Sequence, residues 1–161
     1  MSSKIILRKI FVATALLFAL FFASCDGKRI FEENKSLPEG GWEADNAIKF
    51  DVDIKDPSTP ANFYINVRNA DGYPYSNLFL FVKTKFPNGK ESNDTLECLL
   101  ADEKGQWTGT GAGDIYDNQI PFKKNVRFPL AGIYSFEIQQ GMRTENVPLI
   151  MDVGLRIEKA E

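Results

Sequence analysis

Apolar and polar residues alternate one by one along several short runs of this chain, and no stretch after residue 25 keeps a helical period. In the run 48–54 every even position is apolar and every odd position is Lys or Asp, and the run 63–68 repeats the alternation. A period of two is that of a half-buried β-strand. Further strands are predicted at 78–86, 95–100, 126–130, 132–139 and 151–158, separated by Gly, Pro and Asn turns. This pattern predicts an all-β fold, an antiparallel β-sandwich that is immunoglobulin-like or jelly-roll-like.

The run 132–139 carries a second hint about the sandwich. Tyr134 precedes Phe136 by two residues, as the tyrosine of an immunoglobulin-type tyrosine corner precedes a core position. Because the run alternates cleanly, we expect Tyr134 and Phe136 to face the core or its rim.

The first 25 residues form a basic start and an apolar run, 10–23, which is too short to span a bilayer comfortably. The run ends in Phe22-Ala23-Ser24-Cys25, which resembles the lipobox of bacterial lipoproteins. There the cysteine becomes the first mature residue and carries the acyl chains. The alternatives are an ordinary secretory signal with a chance cysteine, or an uncut N-terminal anchor helix.

The lipobox interpretation defines the expected organisation of the chain. Residues 1–24 are a cleaved lipoprotein signal peptide, 25–41 a short membrane tether, and 42–161 the β-sandwich domain. Two or more acyl chains on Cys25 would hold the protein on a membrane without a transmembrane helix. In the predicted tether, Ile30 and Phe31 are the residues expected to dock on the domain.

The charge of the mature chain bears on its ligands. The leader contains three of the 19 basic residues and none of the 22 acidic ones, so mature side chains sum to 16 minus 22, or −6. An acidic domain without a basic patch in the sequence argues against nucleic acid or anionic lipid as ligand. Cys98 lies in an apolar run, which predicts a buried inert thiol, with a reactive thiol as the alternative.

The residue types of common catalytic sites are scarce. The chain has no histidine, so it lacks the commonest general base and metal ligand. The glycine-rich stretch 109–113 does not follow a βαβ pattern, which disfavours a nucleotide loop. We therefore expect no enzyme activity, no catalytic residues, no metal site, no cofactor and no small-molecule substrate.

Two places are candidate contact sites. The stretch 113–118 includes Asp114 and Asp117 and is interpreted as an inter-strand loop, with a partner-contact loop or a calcium site as alternatives. In the run 78–82 both alternating faces are apolar, so the face with Phe79 and Phe81 needs a cover. The N-terminal segment or the stretch 115–122 is one candidate cover, and a protein partner is the other.

Several motifs, taken in order, carry a family resemblance. They are the Cys25-Asp26 start followed by Phe31-Glu32, the 78–82 strand, and the motifs at 86–89, 94–98, 113–115, 128–134 and 152–158. With them the whole chain resembles the gliding-motility lipoprotein GldH family of the Bacteroidetes. The resemblance implies a cell-envelope lipoprotein of the machinery that moves and exports surface adhesins, associated with type IX secretion. It implies no enzymatic activity, and only Cys25 transfers as a functional position.

Two functions from different classes remain open. One is a structural or interaction subunit of an envelope complex, with other envelope or motility proteins as partners. The other is a carbohydrate-binding surface lipoprotein, which needs exposed aromatics; Trp42 and Trp107 are expected to be partly buried at the sandwich edges. Because Lys28 and Arg29 follow the cysteine closely, and the acidic stretch often linked to surface export is displaced to Glu32-Glu33, we expect an outer-membrane anchor facing the periplasm.

Overall fold

In the computed structural model, which describes residues 27–160, the chain forms eleven β-strands and no helix within that range. Nine of the strands belong to two antiparallel sheets, and β2 and β10 form a short separate ribbon. The strands are β1 (Arg29–Ser36), β2 (Trp42–Glu43), β3 (Ile48–Ile54), β4 (Ala61–Ala70), β5 (Asn77–Lys85), β6 (Glu91–Leu99), β7 (Thr110–Ala112), β8 (Ile115–Val126), β9 (Gly132–Gln140), β10 (Asn146–Val147) and β11 (Ile150–Lys159).

The strand order is that of a jelly roll. One sheet has the order β1-β11-β4-β8-β7 and the other β3-β9-β5-β6. The antiparallel partners are nested along the chain: β1 pairs with β11, β3 with β9, β4 with β8 and β5 with β6. The chain therefore folds as one long antiparallel ribbon wrapped into two sheets, which is the jelly-roll solution among sandwiches.

Side chains that alternate along the sequence are alternately buried between the two sheets and exposed on their outer faces. In β3, β4 and β5 alternate positions point inward and are buried, and most of these are apolar, while the intervening positions face outward. Tyr134 and Phe136 of β9 are buried as expected. The largest fully buried side chains come from both sheets and their connections, and include Trp42, Phe50, Ile65, Leu78, Leu80, Leu100, Ile138, Ile150, Leu155 and Ile157.

Tyr134 has the hydrogen bonds of a tyrosine corner. Its hydroxyl donates to the carbonyl oxygen of Leu130 at 2.9 Å and accepts from the Leu130 N–H at 3.2 Å. The ring packs on Phe86 and Phe128, with centroid separations of 5.5 and 5.0 Å. The motif therefore fixes the loop before β9, here in a jelly-roll strand order.

The expectation of a tether over 25–41 has to be corrected, because part of this segment belongs to the sandwich. β1 pairs with β11 along its length, and Ile30 and Phe31 pack against the core. The Phe31 ring meets Phe50 edge-on at 6.4 Å. The sandwich thus begins at Arg29 rather than Trp42, while Cys25 lies outside the described residues.

The expected boundaries around β8 are also corrected. The stretch 115–122, expected as a loop, lies in the longest strand, and 127–130, expected within a strand, connects β8 to β9. The alternation was hidden because Asn118 occupies an inward position. Its amide nitrogen donates to Val67 O at 3.2 Å and to Asn69 Oδ1 at 2.9 Å, which satisfies a buried polar group.

Candidate functional site

Phe79 and Phe81 lie on the outer face of the four-stranded sheet. Their neighbours in β5, Leu78 and Leu80, are completely buried, whereas Phe79 is 36% and Phe81 50% exposed. The expected cover does not exist among residues 27–160, because β1 and β8 both belong to the opposite sheet. The two rings therefore form part of an accessible apolar surface.

These rings line a groove of about 520 Å³, here called the aromatic groove. The chain after β9 fixes one wall of it: Gly141 N–H donates to Phe79 O at 2.7 Å. A Cβ at Gly141 would stand 3.1 Å from the Phe81 ring, so a side chain there would require the ring to shift slightly. The groove is lined mainly by Tyr75, Phe79, Phe81, Thr95, Met142 and Arg143.

The other two predicted contact residues lie away from the aromatic groove. Asp114 occupies the turn between β7 and β8, where its carbonyl accepts the Asp71 N–H at 2.6 Å. Asp117 lies on the outer face of the five-stranded sheet, where Oδ1 accepts from Arg68 Nε at 2.7 Å. The structure therefore brings Phe79 and Phe81 together and separates them from both aspartates.

Asp117 belongs to a second feature, a polar cleft of about 540 Å³ on the outer face of the five-stranded sheet. Arg68 joins its two sides, because Nη1 also pairs with Asp152 Oδ2 at 2.9 Å. The hydrogen bond to Asp117 is the main cause of a raised pKa at Arg68, which stays charged. The charged and amide side chains that line the cleft include Glu32, Asn34, Asn66, Arg68, Asp117 and Asp152.

One acceptor in the polar cleft has no partner. Asn66 Nδ2 donates to Asn34 Oδ1 at 3.1 Å, but Asn66 Oδ1 is buried without a hydrogen bond from any described residue. A buried unsatisfied acceptor costs about 1–3 kcal/mol. This atom is therefore a local cost to stability within the cleft.

The Asn34 side chain packs directly against Gly154 of β11. A Cβ at residue 154 would stand 1.8 Å from Asn34 Oδ1 and 2.8 Å from Glu33 O. We expect Gly154→Ala to displace Asn34 and to lower the free energy of unfolding by about 1–3 kcal/mol, the usual cost of overpacking. Urea denaturation measures it.

Gly40→Ala is the matched control, because a Cβ there meets nothing within 4 Å. Its unfolding free energy should stay within about 0.5 kcal/mol of the parent. Equal stability of both variants would show that the close packing of Asn34 over Gly154 is wrong.

Neither tryptophan offers an exposed platform. Trp42 is fully buried, more than expected, and its indole N–H donates to Asn46 O at 2.6 Å. Trp107 is partly buried as expected and donates to Asp71 Oδ1 at 2.8 Å. The exposed rings of the aromatic groove are therefore better placed than either tryptophan to stack on a ligand.

Cys98 is buried in the core, as the apolar run predicts. Burial raises the pKa of its thiol to about 12. Because the thiolate is the reactive form, this environment disfavours a reactive cysteine at neutral pH.

Among residues 27–160, no group of three or more His, Cys, Asp or Glu side chains is arranged to hold a metal ion. Within the same range, no helix has the length and apolar character needed to cross a bilayer.

A jelly-roll domain with an aromatic groove on one sheet and a polar cleft on the other defines a β-sandwich with two candidate binding surfaces. Residues 29–157 match the family model described as GldH lipoprotein, so the chain belongs to the GldH lipoprotein family.

Two curated relatives agree with this assignment over most of the chain. A "Gliding motility lipoprotein GldH homolog" of Christiangramia forsetii is 40% identical over 159 residues, which is 94% of each chain. The "Gliding motility lipoprotein GldH" of Flavobacterium johnsoniae is 36% identical over 153 residues, covering 91% of this chain and 94% of that one. These relatives support a gliding-motility lipoprotein.

A solved structure from the infectious bursal disease virus Gt strain is also similar, at 15% identity and a TM-score of 0.35. The match covers 81% of this chain and 30% of that one, a likeness too weak to add to the fold.

Proposed function

We propose that this protein is a structural or interaction subunit of the envelope machinery for gliding motility and type IX secretion. Acyl chains on Cys25 anchor it in the outer membrane, and the domain faces the periplasm. It has no enzymatic role and needs no cofactor. The family membership, the names of the relatives and the lipobox-like sequence before Cys25 support this proposal.

The observation that carries the interaction role is the aromatic groove. Large aromatic side chains that stay exposed on a sheet face favour a protein interface, because aromatic anchors dominate binding energy in such contacts. Asn77, Thr95 and Arg143 lie around the rings and offer polar contacts at the rim. Asp114 and Asp117, on other surfaces, are proposed as separate secondary contacts.

The periplasmic orientation is supported by the placement of the first acidic pair, Glu32-Glu33. Glu32 lies in β1 and pairs with Arg156 at 2.7 Å, so it is part of a folded sheet. An acidic stretch directly after the cysteine, of the kind linked to surface export, is absent from the sequence: the single Asp26 is followed by Gly27, Lys28 and Arg29, and the acidic pair Glu32-Glu33 comes later.

We expect the double variant Phe79→Ser/Phe81→Ser to lose its envelope partners. Removing two central aromatic anchors typically weakens an interface by more than 2 kcal/mol, or about thirtyfold. The measurement is quantitative mass spectrometry of proteins that co-purify with the tagged, lipidated chain. Urea denaturation checks that this variant and its control remain folded.

The matched control is Ile115→Ser/Met151→Ser, which removes two exposed apolar side chains from the five-stranded sheet. It should retain the partners of the parent protein. Retention of the same partners by the Phe79→Ser/Phe81→Ser variant would exclude the aromatic groove as the interface.

Carbohydrate binding at a cell surface is the second candidate function, and the polar cleft favours it. The carboxylates and amides that line it are of the kind that accept hydrogen bonds from the hydroxyl groups of a sugar. A glycan array probed with the lipidated protein tests this. Binding that disappears in Gly154→Ala but persists in Phe79→Ser/Phe81→Ser would assign a glycan to the cleft.

A further inference from the structure

The two ends of the sandwich carry opposite charge. Pairing of Arg29 with Glu158, of Ala61 with Val126, and of Ile54 with Gly132 brings one set of strand ends and loops together. We call this the tethered end; it comprises residues 28–29, 53–62, 84–92, 123–133 and 158–160. The chain enters the sandwich here from Cys25.

Basic residues concentrate at the tethered end. It contains nine Lys or Arg and four Asp or Glu residues, a net charge of +5. The rest of residues 27–160 contains seven basic and 16 acidic residues, a net charge of −9. The loops at the opposite end, 37–47, 71–76, 100–109, 113–114 and 141–149, contain eight acidic and two basic residues. Although the domain is acidic overall, its charge is therefore distributed very unevenly along the strand axis.

The cations of the tethered end are accessible. Lys90, Lys124 and Arg127 are exposed, and none of them forms an ion pair with a residue in the described range. Val126, Leu130 and Ile133 stand beside them as exposed apolar side chains, with Ile133 at 61%. Exposed basic and apolar groups on one surface suit the interface of an anionic bilayer.

Covalent geometry keeps this end near any anchor on Cys25. Only residues 26–28 separate Cys25 from Arg29, and four residues of extended chain reach at most about 14 Å. β11 has ten residues and is about 33 Å long, so the opposite end lies well beyond this reach.

We propose that the tethered end is a membrane-docking surface that contacts the anionic headgroups of the bilayer in which Cys25 is anchored. This inference rests on the proposed lipid anchor. It departs from the expectation that charge argues against anionic lipid, because folding gathers basic residues that are scattered in the sequence.

Docking in this orientation determines where the other surfaces point. Tyr75 and Met142, which line the aromatic groove, lie in loops at the end of the sandwich opposite the tethered end, here called the acidic end. The groove therefore faces away from the bilayer, where envelope partners have access to it, and the acidic loops are repelled from the headgroups.

The test uses the full lipidated protein in vesicles of neutral phosphatidylcholine, with or without about 30% phosphatidylglycerol. A fluorophore is attached at Ala131→Cys in the tethered end or at Glu103→Cys in the acidic end, since Cys98 is buried. Quenching by headgroup-labelled lipid should be about threefold or more stronger at residue 131 in anionic vesicles. It should fall at 1 M salt, where the Debye length is about 3 Å.

Charge reversal supplies the matched pair of variants. In anionic vesicles, Lys90→Glu/Lys124→Glu/Arg127→Glu should reduce the difference between residues 131 and 103 to that found in neutral vesicles, where only the short link to Cys25 keeps the tethered end near the membrane. Lys49→Glu/Lys83→Glu/Lys104→Glu, with the same change in charge, should keep the full difference. Equal quenching at both positions in the parent protein, or equal behaviour of the two triple variants, would overturn the proposal. Flotation with neutral vesicles reports the anchor separately: failure there would refute lipidation, and with it this inference.

Discussion

We expect Cys25→Ala to move the protein from the membrane fraction to the soluble fraction almost completely. Each buried methylene of an acyl chain contributes about 0.8 kcal/mol to membrane binding, so two or three chains hold a protein nearly irreversibly. No helix among residues 27–160 is long and apolar enough to serve as a second membrane anchor. The basic tethered end alone would bind weakly and in a salt-dependent way.

Fractionation of cells after a high-salt wash measures this effect. Cys98→Ala is the control, because it removes the other cysteine of the chain, which is buried in the core. That variant should remain membrane-bound. A Cys25→Ala protein that stays on the membrane through the high-salt wash would refute the single-anchor account.

The second large effect is expected from Phe136→Ala. Phe136 is 2% exposed, and its ring lies 6.0 Å from the Phe63 ring of the opposite sheet. Truncating such a side chain costs about 3–5 kcal/mol through lost burial and the cavity that remains. Since a domain of this size is stable by about 5–15 kcal/mol, the urea midpoint should fall substantially.

Ile133→Ala is the control on the same strand. Ile133 points to the opposite face of β9 and is 61% exposed, so its truncation should cost less than about 1 kcal/mol. Similar unfolding free energies for the two variants would mean that the face of β9 assigned to the core is wrong.

The strands that were predictable from sequence are those in which one face is apolar and the other polar. β3 and β9 show this most clearly. β8 was missed because Asn118 stands at an inward position, where the two shorter hydrogen bonds of its amide go to Val67 and Asn69, which are remote in sequence. β1 was missed because its apolar content is limited to Ile30 and Phe31, so its pairing with β11 supplies the information that alternation lacks.

The same contrast between local and remote information applies to the candidate site. Phe79 and Phe81 were predictable because both faces of β5 are apolar. Tyr75 and Met142 reach the aromatic groove from loops, and no local pattern indicates this. Arg68 and Asp152 meet across 84 residues, so the polar cleft appears only once the order of the strands is known.

The choice between immunoglobulin-like and jelly-roll-like order was also beyond local pattern. It depends on which strands pair, and here the first long strand pairs with the last. Burial favours both arrangements equally, because each presents the same alternating faces to a core.

The most direct test of the central claim is photo-crosslinking in growing cells from the aromatic groove of the lipidated protein. A photoreactive amino acid replaces Phe81 in one strain and Gln119, on the outer face of the opposite sheet, in another. The account predicts that the probe at residue 81 forms adducts with defined motility or secretion components, which mass spectrometry identifies and which Phe79→Ser suppresses. Absence of adducts at residue 81, or the same adducts from residue 119, would contradict it.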